Sequence, residues 1–586
     1  MYRLPQQGAW KQSNRSSKFG DLWSSFNLDP TTILGSLRTT RRMLLNLNNS
    51  DDSSLGVASA FQQFTTTGAT PYYHWAIAGS HLWHADVNGI FEKETAAGSA
   101  PVGGNADQSD LEMFNGYMYV SNNATASYKL ATDGTWSSVA STFSTAAGLH
   151  MMRYFRATNR LYYVDDTNRS IGSLNTADTI AALGAANTLQ TVVNGVDAII
   201  SWIGVNSTRI FIATSNYGAS DNSCKVYAWD GVTATGPNEV YTVPSTGVYA
   251  GVIKDDVPVI MTANGQLMQL NGGTFTELDR LPLDGKAPPT ASSTPTSRFI
   301  HFNGMTLVDG RINIFVKSPA NTIFERFPSG VWEYTSETGL YHKSAVTLAK
   351  ASGSLSDYGQ NNISTCGAIF YDAQLSTKLY CGCTYFTTAT VTAKGLFYED
   401  TTEAVFDKYC YFVTPKLFSQ EIEETWEKIY VRMRSLVSST DRLIVKYRTN
   451  EYRFAVEATI TWTSATTFTC TYATISNYIV GDEVEGTQGG GSGRTAHITS
   501  LVNNGGTATV TLNETLGASS GTAKARFQKW TKAGIFTTQN LTLADFPIIY
   551  SSSGWIQIKV CLLTTSDDSD AQNEIYDILL TNNKKR

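Results

Sequence analysis

The sequence predicts an all-β protein built around a β-propeller. Short runs rich in Thr, Ser, Val and aromatic residues alternate with tight-turn dipeptides, and Gly is frequent while Pro is scarce, at 47 and 15 of 586 residues. This composition is typical of strands joined by hairpins. The runs recur at spacings of roughly 40–70 residues, the size of one propeller blade. We expect a propeller of about six or seven irregular blades, a C-terminal β-sandwich with an inserted small β-barrel-like domain, and an extended N-terminal arm.

The first predicted unit is the extended arm, residues 1–55. Apolar anchors stand among polar and turn residues in GDLWSSFNLDP (20–30) and around it, with no sustained helical or strand period. Such an arm gains buried apolar area, at about 25 cal/mol per Å², only when it lies on another surface. An N-terminal strand that closes on the chain's own domain is a compatible alternative. The candidate partner-binding residues are Trp10, Phe19, Trp23, Phe26, Leu28, Arg38, Arg41 and Arg42.

The predicted propeller covers residues 56–410. Strand–turn–strand segments recur, as in GYMYVSNNATASYKLATDGTWSSV (116–139) and VPVIMTANGQLMQLNGGTFTEL (257–278). One twisted four-stranded sheet cannot bury both faces alone, whereas radial stacking buries them and leaves only short edges. A pair of β-sandwiches is the alternative. Two-residue hairpins need the positive φ angles that Asn-Gly and Asp-Gly supply, and these dipeptides stand at Asn88-Gly89, Asn115-Gly116, Asp133-Gly134, Asp230-Gly231, Asn264-Gly265 and Asn303-Gly304.

Two further units are predicted in the C-terminal part. Residues 411–456 and 529–586 contain well-alternating strands, among them DRLIVKYRT (441–449) and WIQIKVCLLTT (555–565), which indicate an antiparallel sandwich. The segment 457–528 interrupts them with strands of its own. A compact β module inserted at a surface hairpin explains this order.

The glycine-rich run GTQGGGSGR (486–494) invites a nucleotide-binding interpretation. A phosphate loop of the Walker type needs a Lys after the glycines and a helix after the Lys, and a dinucleotide-binding loop also needs that helix. Here no Lys follows, and RTAHITSLV resembles a strand. We therefore expect a hairpin loop of the inserted module.

No set of catalytic residues stands out. Cys381-Gly-Cys383 is the closest pair of the 7 Cys, and in a strand both side chains point to one face. A metal or redox pair is one interpretation and two small buried thiols the favoured one. The net charge of −6 gives no case for general nucleic-acid binding. We expect no enzyme activity, no cofactor and no metal.

The N-terminal residues contain no apolar signal-peptide core, and no run reaches the length of a membrane span. The expectation is a soluble chain that is made in a reducing cytoplasm.

The arm GDLWSSFNLDPTTILGSLRTTRR resembles the N-terminal opening of tailed-phage virion proteins, in which a phrase with the spacing of Asn27, Asp29 and Gly35 precedes a propeller. The whole chain resembles, in outline, the tail nozzle proteins of short-tailed phages, also called tail tubular protein B. The segments KIYVRMRSL, IQIKV and EIYDILL are similar to sandwich segments of that family.

The resemblance implies a structural virion protein without catalysis. It implies a homo-oligomeric ring, expected to be a hexamer, around the channel through which genomic DNA leaves without sequence-specific binding. It also implies contacts with other tail proteins, the adaptor and the fibres, and a location in the virion tail. Two other classes stay open: a glycan-binding or glycan-degrading propeller that binds a receptor, and a cellular propeller scaffold for protein interactions.

Overall fold

The computed structural model describes residues 2–3, 11–12, 21–22, 24–26, 28–29, 31–33, 36–38, 55–57, 61–65, 74–78, 81–86, 89–92, 110–121, 127–131, 136–139, 142–144, 150–165, 169–190, 192, 198–216, 224–281, 298–317, 329–336, 339–344, 363–373, 378–386, 392–399, 409–413, 417–418, 424–439, 441–448, 456–476, 478, 483–486, 495–512, 515–516, 520–527, 531–539, 541–548, 555–563 and 574–584. Strands dominate this part of the chain, and its one helix, α1 (Tyr472–Ile475), has four residues. The predicted all-β class is confirmed.

Short strands come first in the chain. They are β1 (Tyr2–Arg3), β2 (Lys11–Gln12), β3 (Asp21–Leu22), β4 (Ser24–Phe26), β5 (Leu28–Asp29), β6 (Thr31–Ile33), β7 (Ser36–Arg38), β8 (Leu55–Val57) and β9 (Phe61–Thr65). The strands β2 and β3 pair with each other, as do β6 and β7, whereas β1, β4 and β9 pair with much later parts of the chain. The N-terminal strands therefore join distant units.

The next strands form seven small antiparallel sheets in which consecutive strands pair. The first three sheets contain β10 (His74–Ala78), β11 (His81–Asp86) and β12 (Gly89–Glu92); β13 (Asp110–Phe114), β14 (Tyr117–Ser121), β15 (Ser127–Leu130) and β16 (Trp136–Val139); and β17 (Met152–Phe155), β18 (Arg160–Asp165) and β19 (Ser170–Leu174). The fourth and fifth contain β20 (Ala198–Val205), β21 (Ile210–Asn216), β22 (Cys224–Trp229) and β23 (Glu239–Val243); and β24 (Val248–Lys254), β25 (Val257–Thr262), β26 (Gln266–Asn271) and β27 (Thr274–Arg280). The sixth and seventh contain β28 (Ile300–Val308), β29 (Arg311–Val316), β30 (Gly330–Thr335) and β31 (Gly339–Ser344); and β32 (Ile363–Asp372), β33 (Lys378–Phe386) and β34 (Thr392–Glu399).

These seven sheets stand in a closed ring. The first strand of each sheet lies beside the first strand of the next, in the order β10, β13, β17, β20, β24, β28 and β32, and β32 lies beside β10 again. The N-terminal strand β9 pairs with β34 and completes the seventh sheet. Radial stacking of this kind is the propeller arrangement, and it rules out the alternative of two sandwiches for this segment.

Packing between the sheets explains why their strands are buried on both faces. In β18, Leu161 and Tyr163 belong to the apolar cluster shared with the second sheet, and Tyr162 and Val164 belong to the cluster shared with the fourth. A strand covered on both faces reads as a continuous apolar run rather than an alternating one. The segment RLYYVD has this pattern.

The turn dipeptides have mixed outcomes. Asn115 and Gly116, with φ of 51° and 79°, form the two-residue turn between β13 and β14 that the sequence predicts. The predicted turn at Asn303-Gly304 is wrong, because both residues lie inside β28, where the strand register shifts. Asn88, Asp133 and Gly134 lie outside the described residues.

Fourteen strands follow the propeller. They are β35 (Tyr409–Val413), β36 (Leu417–Phe418), β37 (Glu424–Met433), β38 (Arg442–Arg448), β39 (Val456–Trp462), β40 (Thr467–Thr471), β41 (Glu483–Gly486), β42 (Thr495–Asn503), β43 (Thr507–Leu512), β44 (Gly521–Phe527), β45 (Thr531–Phe536), β46 (Leu543–Pro547), β47 (Trp555–Leu563) and β48 (Glu574–Lys584).

Two six-stranded sheets in this part form a sandwich. The first has the order β46-β37-β48-β8-β5, with β1 also on β48, and the second has the order β4-β35-β47-β38-β45, with β36 also on β47. Ile429 and Ile578 of the first sheet and Val445 and Ile558 of the second belong to one buried apolar cluster. Burial of that cluster between the sheets holds them face to face.

A closed barrel lies between β38 and β45, two strands that pair with each other. Its strand order is β39-β40-β43-β42-β41-β44, and β44 pairs back to β39. Phe468, Val510 and Phe527 are among the residues that fill its interior. Because the chain leaves and re-enters the sandwich at neighbouring strands, the barrel interrupts the sequence of the sandwich without interrupting its sheet.

Candidate functional site

The centre of the propeller is crossed by a bulge of β28, residues 301–304, which we call the plug. Ile300 pairs with Val316 and Met305 with Ile314, so that four residues of β28 lie opposite the single residue Phe315. The extra residues leave the ladder. Gly304 is required here, since a Cβ atom would lie 2.5 Å from Ile300 Cγ1 and 2.8 Å from the His301 carbonyl oxygen.

The plug reaches the opposite wall of the ring. Asn303 donates from Nδ2 to Asp110 Oδ1 at 3.0 Å, and Arg153 Nη2 donates to Asn303 Oδ1 at 2.7 Å. Asp110 and Arg153 lie on the first strands of the second and third sheets, three positions around the ring from the sixth sheet. Phe302 joins the buried cluster between the third and fourth sheets. The axis of the propeller is therefore filled with side chains at this level.

A buried ion pair holds the plug. Arg153 Nη1 lies 2.7 Å from Asp110 Oδ2, and the Asp110 side chain is fully buried. The same carboxylate also accepts the Met152 backbone N–H at 2.9 Å. Buried charges are tolerated when they are paired and hydrogen-bonded, and loss of one partner then costs about 3–5 kcal/mol.

Glu112, two residues after Asp110 in β13, makes a similar contact with β17. Its carboxyl group accepts the backbone N–H of Tyr154, as that of Asp110 accepts the N–H of Met152. The pKa of Glu112 is raised to about 7, chiefly by burial. The Arg153 cation and the bond from Tyr154 oppose the shift, and the nearby Asp110 carboxylate adds to it. The two carboxyl groups of β13 thus cover donors on the inner edge of β17, which are obligatory hydrogen-bonding groups.

A second buried charge cluster joins the sixth and seventh sheets. Lys343 Nζ lies 2.9 Å from Glu399 Oε2 and 3.5 Å from Glu333 Oε2. Tyr341 donates its hydroxyl to Glu333 Oε1 at 2.7 Å. Both carboxylates form ion pairs with Lys343. The arrangement is therefore suited to holding the two sheets together rather than to acid–base chemistry.

The thiols of Cys381 and Cys383 are buried, as favoured from the sequence. Burial raises the pKa of both thiols well above the ordinary range. Thiols in such surroundings are unreactive, since the thiolate is the reactive form. In the ranges that the structure describes, no group of His, Cys, Asp and Glu residues could hold a metal ion.

The glycine-rich run joins two antiparallel partners of the barrel. Gly486 ends β41, Thr495 begins β42, and these strands pair with each other. Residues 487–494 lie outside the described residues. A strand, not a helix, follows the run, which removes the context that a phosphate loop requires.

Three of the candidate partner-binding residues lie in described strands. Phe26 is in β4 opposite Tyr411, Leu28 is in β5, and Arg38 is in β7 opposite Thr31. The strands β4 and β5 belong to the two sheets of the sandwich and also lie against β31 of the propeller. Trp10, Phe19, Trp23, Arg41 and Arg42 lie outside the described residues.

Sequence reasoning missed the plug and its ion pair. The one available signal is Asn303-Gly304, a dipeptide that usually marks a turn but here follows the buried residues His301 and Phe302. Among the described residues, no helix has the length and apolar character needed to cross a membrane.

Comparison with known protein families finds no match, and neither does comparison with curated protein sequences. Solved structures with similar folds include a catalytically inactive variant of virginiamycin B lyase from Staphylococcus aureus with quinupristin (12% identity, 58% of this chain, 98% of that chain, TM-score 0.36). Others are the computationally designed Ika8 protein (11%, 58%, 99%, 0.35) and the Dos1 propeller (8%, 67%, 95%, 0.34). Likeness at these scores does not bear on function, and the propeller assignment rests on the ring of sheets.

Proposed function

We propose that this chain is a structural subunit of a bacteriophage virion, an oligomeric nozzle or neck ring of the tail that surrounds the DNA exit channel. The observation that carries the proposal is the position of the N-terminal arm. Its strands extend both sheets of the sandwich and lie against the propeller. A segment that pairs with strand edges of one domain and contacts another is typical of subunits of multi-chain assemblies.

The filled propeller centre indicates that each propeller would form part of the wall of the DNA channel. Asn303, Asp110 and Arg153 close the axis of the propeller. DNA would therefore pass through the central channel that the subunits surround and not through a propeller. The net charge of −6 is small but has the sign that lets DNA slide past without binding. No sequence-specific contact with DNA is part of the proposal.

The partners follow from this role. The aromatic and apolar residues Trp10, Phe19, Trp23, Phe26 and Leu28, with the basic Arg38, Arg41 and Arg42, would contact a neighbouring subunit. The other surfaces would carry the adaptor and the fibres of the tail. The protein would be made in the host cytoplasm and end in the virion, without catalysis and without a cofactor.

Particle mass and shape test the proposal. We expect mass photometry of the purified full-length chain to give one species of several subunits, a hexamer in the simplest case, and electron microscopy to show rings with a central hole. Mass spectrometry of purified phage particles should find this chain among the virion proteins. Its absence from the particles would refute the virion role.

The same preparation separates the two other classes. A stable monomer that binds or cleaves host polysaccharide would favour the glycan-binding or glycan-degrading propeller. A stable monomer without glycan binding, found in complex with cellular proteins, would favour the interaction scaffold.

A further inference from the structure

The arm covers the strand edges on one side of the sandwich. β48 pairs with β37 along one edge, and its other edge receives β1 and β8 through two residue pairs each. In the second sheet, β4 covers β35 through three residue pairs. Without these strands both sheets would end in uncovered edges, which are templates for pairing with another chain.

The contacts of the arm do not distinguish one copy of the chain from another. Each ladder has only two or three residue pairs, and a hydrogen bond contributes about 1 kcal/mol net. Main-chain pairing to an edge is also available, unchanged, on a second copy. Exchange of such an element between identical subunits therefore costs little.

A ring needs contact area, and the exposed large apolar side chains of the described residues are few and scattered. Within the described ranges, six large apolar side chains are exposed, and they are divided among the propeller, the barrel and the sandwich: Val232, Val240, Val502, Ile535, Leu541 and Leu543. A permanent interface buries roughly 2,000 Å² or more and is rich in apolar residues. An exchanged arm would add to the interface contacts that the single chain already forms.

The chain is long enough for exchange. Residues 39–54 connect β7 to β8, and sixteen residues span at most about 55 Å when extended. This is comparable with the width of a domain of the propeller's size. β1 to β7 can therefore move to a neighbour as one unit while β8 stays on its own β48.

We propose that the arm is exchanged in the ring, so that β1 and β4 of one subunit pair with β48 and β35 of the next. The inference rests on the proposed oligomeric function and names its contact. The edges of β48 and β35 are then covered by the N-terminal segment of a second copy, and the subunits are joined head to tail around the ring.

Paired cysteines test the exchange. Ser24 lies opposite Val413 in the β4–β35 ladder, and directly opposite residues in antiparallel strands come close enough for a disulfide. The variant Ser24→Cys with Val413→Cys is assembled, oxidised with a thiol-specific diazene and run on a denaturing gel without reductant. Exchange predicts covalent multimers up to the full ring, from more than half of the chains.

Controls make every outcome decisive. The single variants and the unmodified chain report background from the native cysteines. Thr461→Cys with Thr469→Cys, opposite each other in the β39–β40 ladder of the barrel, should give only monomers. If the Ser24 variant does not fold, Arg3→Cys with Leu579→Cys probes the β1–β48 ladder. Rings that release only internally bonded monomers would overturn the exchange but not the ring. Absence of rings in the unmodified chain would overturn both.

Discussion

Replacement of Glu112 by Gln should make the propeller more stable at alkaline pH and leave it almost unchanged at acidic pH. Burial raises the pKa of Glu112 from an ordinary value of 4.5 to about 7. A carboxyl group whose pKa is higher in the folded than in the unfolded state stabilises the fold in its protonated form. That contribution is complete below pH 4.5 and is lost as the pH rises through about 7.

The magnitude follows from the shift. Each unit of pKa corresponds to about 1.4 kcal/mol, so the shift from 4.5 to about 7 sets an upper limit of about 3 kcal/mol. Because Glu112 is only half-buried, we expect about 1–3 kcal/mol. Gln keeps the acceptor for the Tyr154 N–H and removes the charge that must otherwise be buried at alkaline pH.

Urea unfolding at pH 5, 6, 7 and 8 measures the difference. The free energy of unfolding of Glu112→Gln minus that of the unmodified chain should be smallest at pH 5, roughly a quarter of its maximum, and reach that maximum at pH 8. Asp255→Asn removes one negative charge from an exposed turn and serves as the matched control. A difference that stays constant over the four pH values would refute the reasoning.

Three further predictions concern the plug and the arm. Arg153→Met removes the ion pair of Arg153 with the buried Asp110 carboxylate and should lower the free energy of unfolding by about 3–5 kcal/mol. Addition of Asp110→Asn should restore part of the loss, and equal loss in both variants would contradict the ion-pair argument. Gly304→Ala places a Cβ atom 2.5 Å from Ile300 Cγ1 and should cost about 1–3 kcal/mol, measured by urea unfolding, whereas an unchanged midpoint would contradict the packing of the plug. Deletion of residues 1–57 exposes the edges of β48 and β35 and should produce aggregation, measured by light scattering; a soluble, monomeric truncated chain would show that the edges need no cover.

Local signals explain which parts of the fold could be predicted. Asn115-Gly116 forms its turn because both residues adopt positive φ between strands that pair directly. The repeated hairpins together predict the all-β class. Asp255 and Asp256, with φ of 52° and 67°, form a turn of the same kind that the search for Gly-containing dipeptides missed.

Non-local contacts explain what could not be predicted. Asn303 looks like a turn residue, but its partner Asp110 is 193 residues away in sequence. Whether a bulge leaves the ladder depends on the space at the centre of the ring, and that space exists only after seven sheets have closed. The burial that raises the pKa of Glu112 likewise comes from sheet packing, which no short motif encodes.

The propeller centre and the arm have one feature in common: at each, the edge of a strand is covered by hydrogen-bonding partners. At the centre, carboxyl groups of β13 accept donors from the inner edge of β17, and at the sandwich, main-chain groups of β1 and β4 cover β48 and β35. In both places a backbone edge would otherwise lose its hydrogen-bonding partners, which costs about 1–3 kcal/mol for each buried group. The centre uses side chains fixed within one subunit, so it cannot be exchanged, whereas the arm is joined to β8 by sixteen residues, a length that allows exchange. The energy that completes the fold of one chain is therefore also the energy available for joining it to the next.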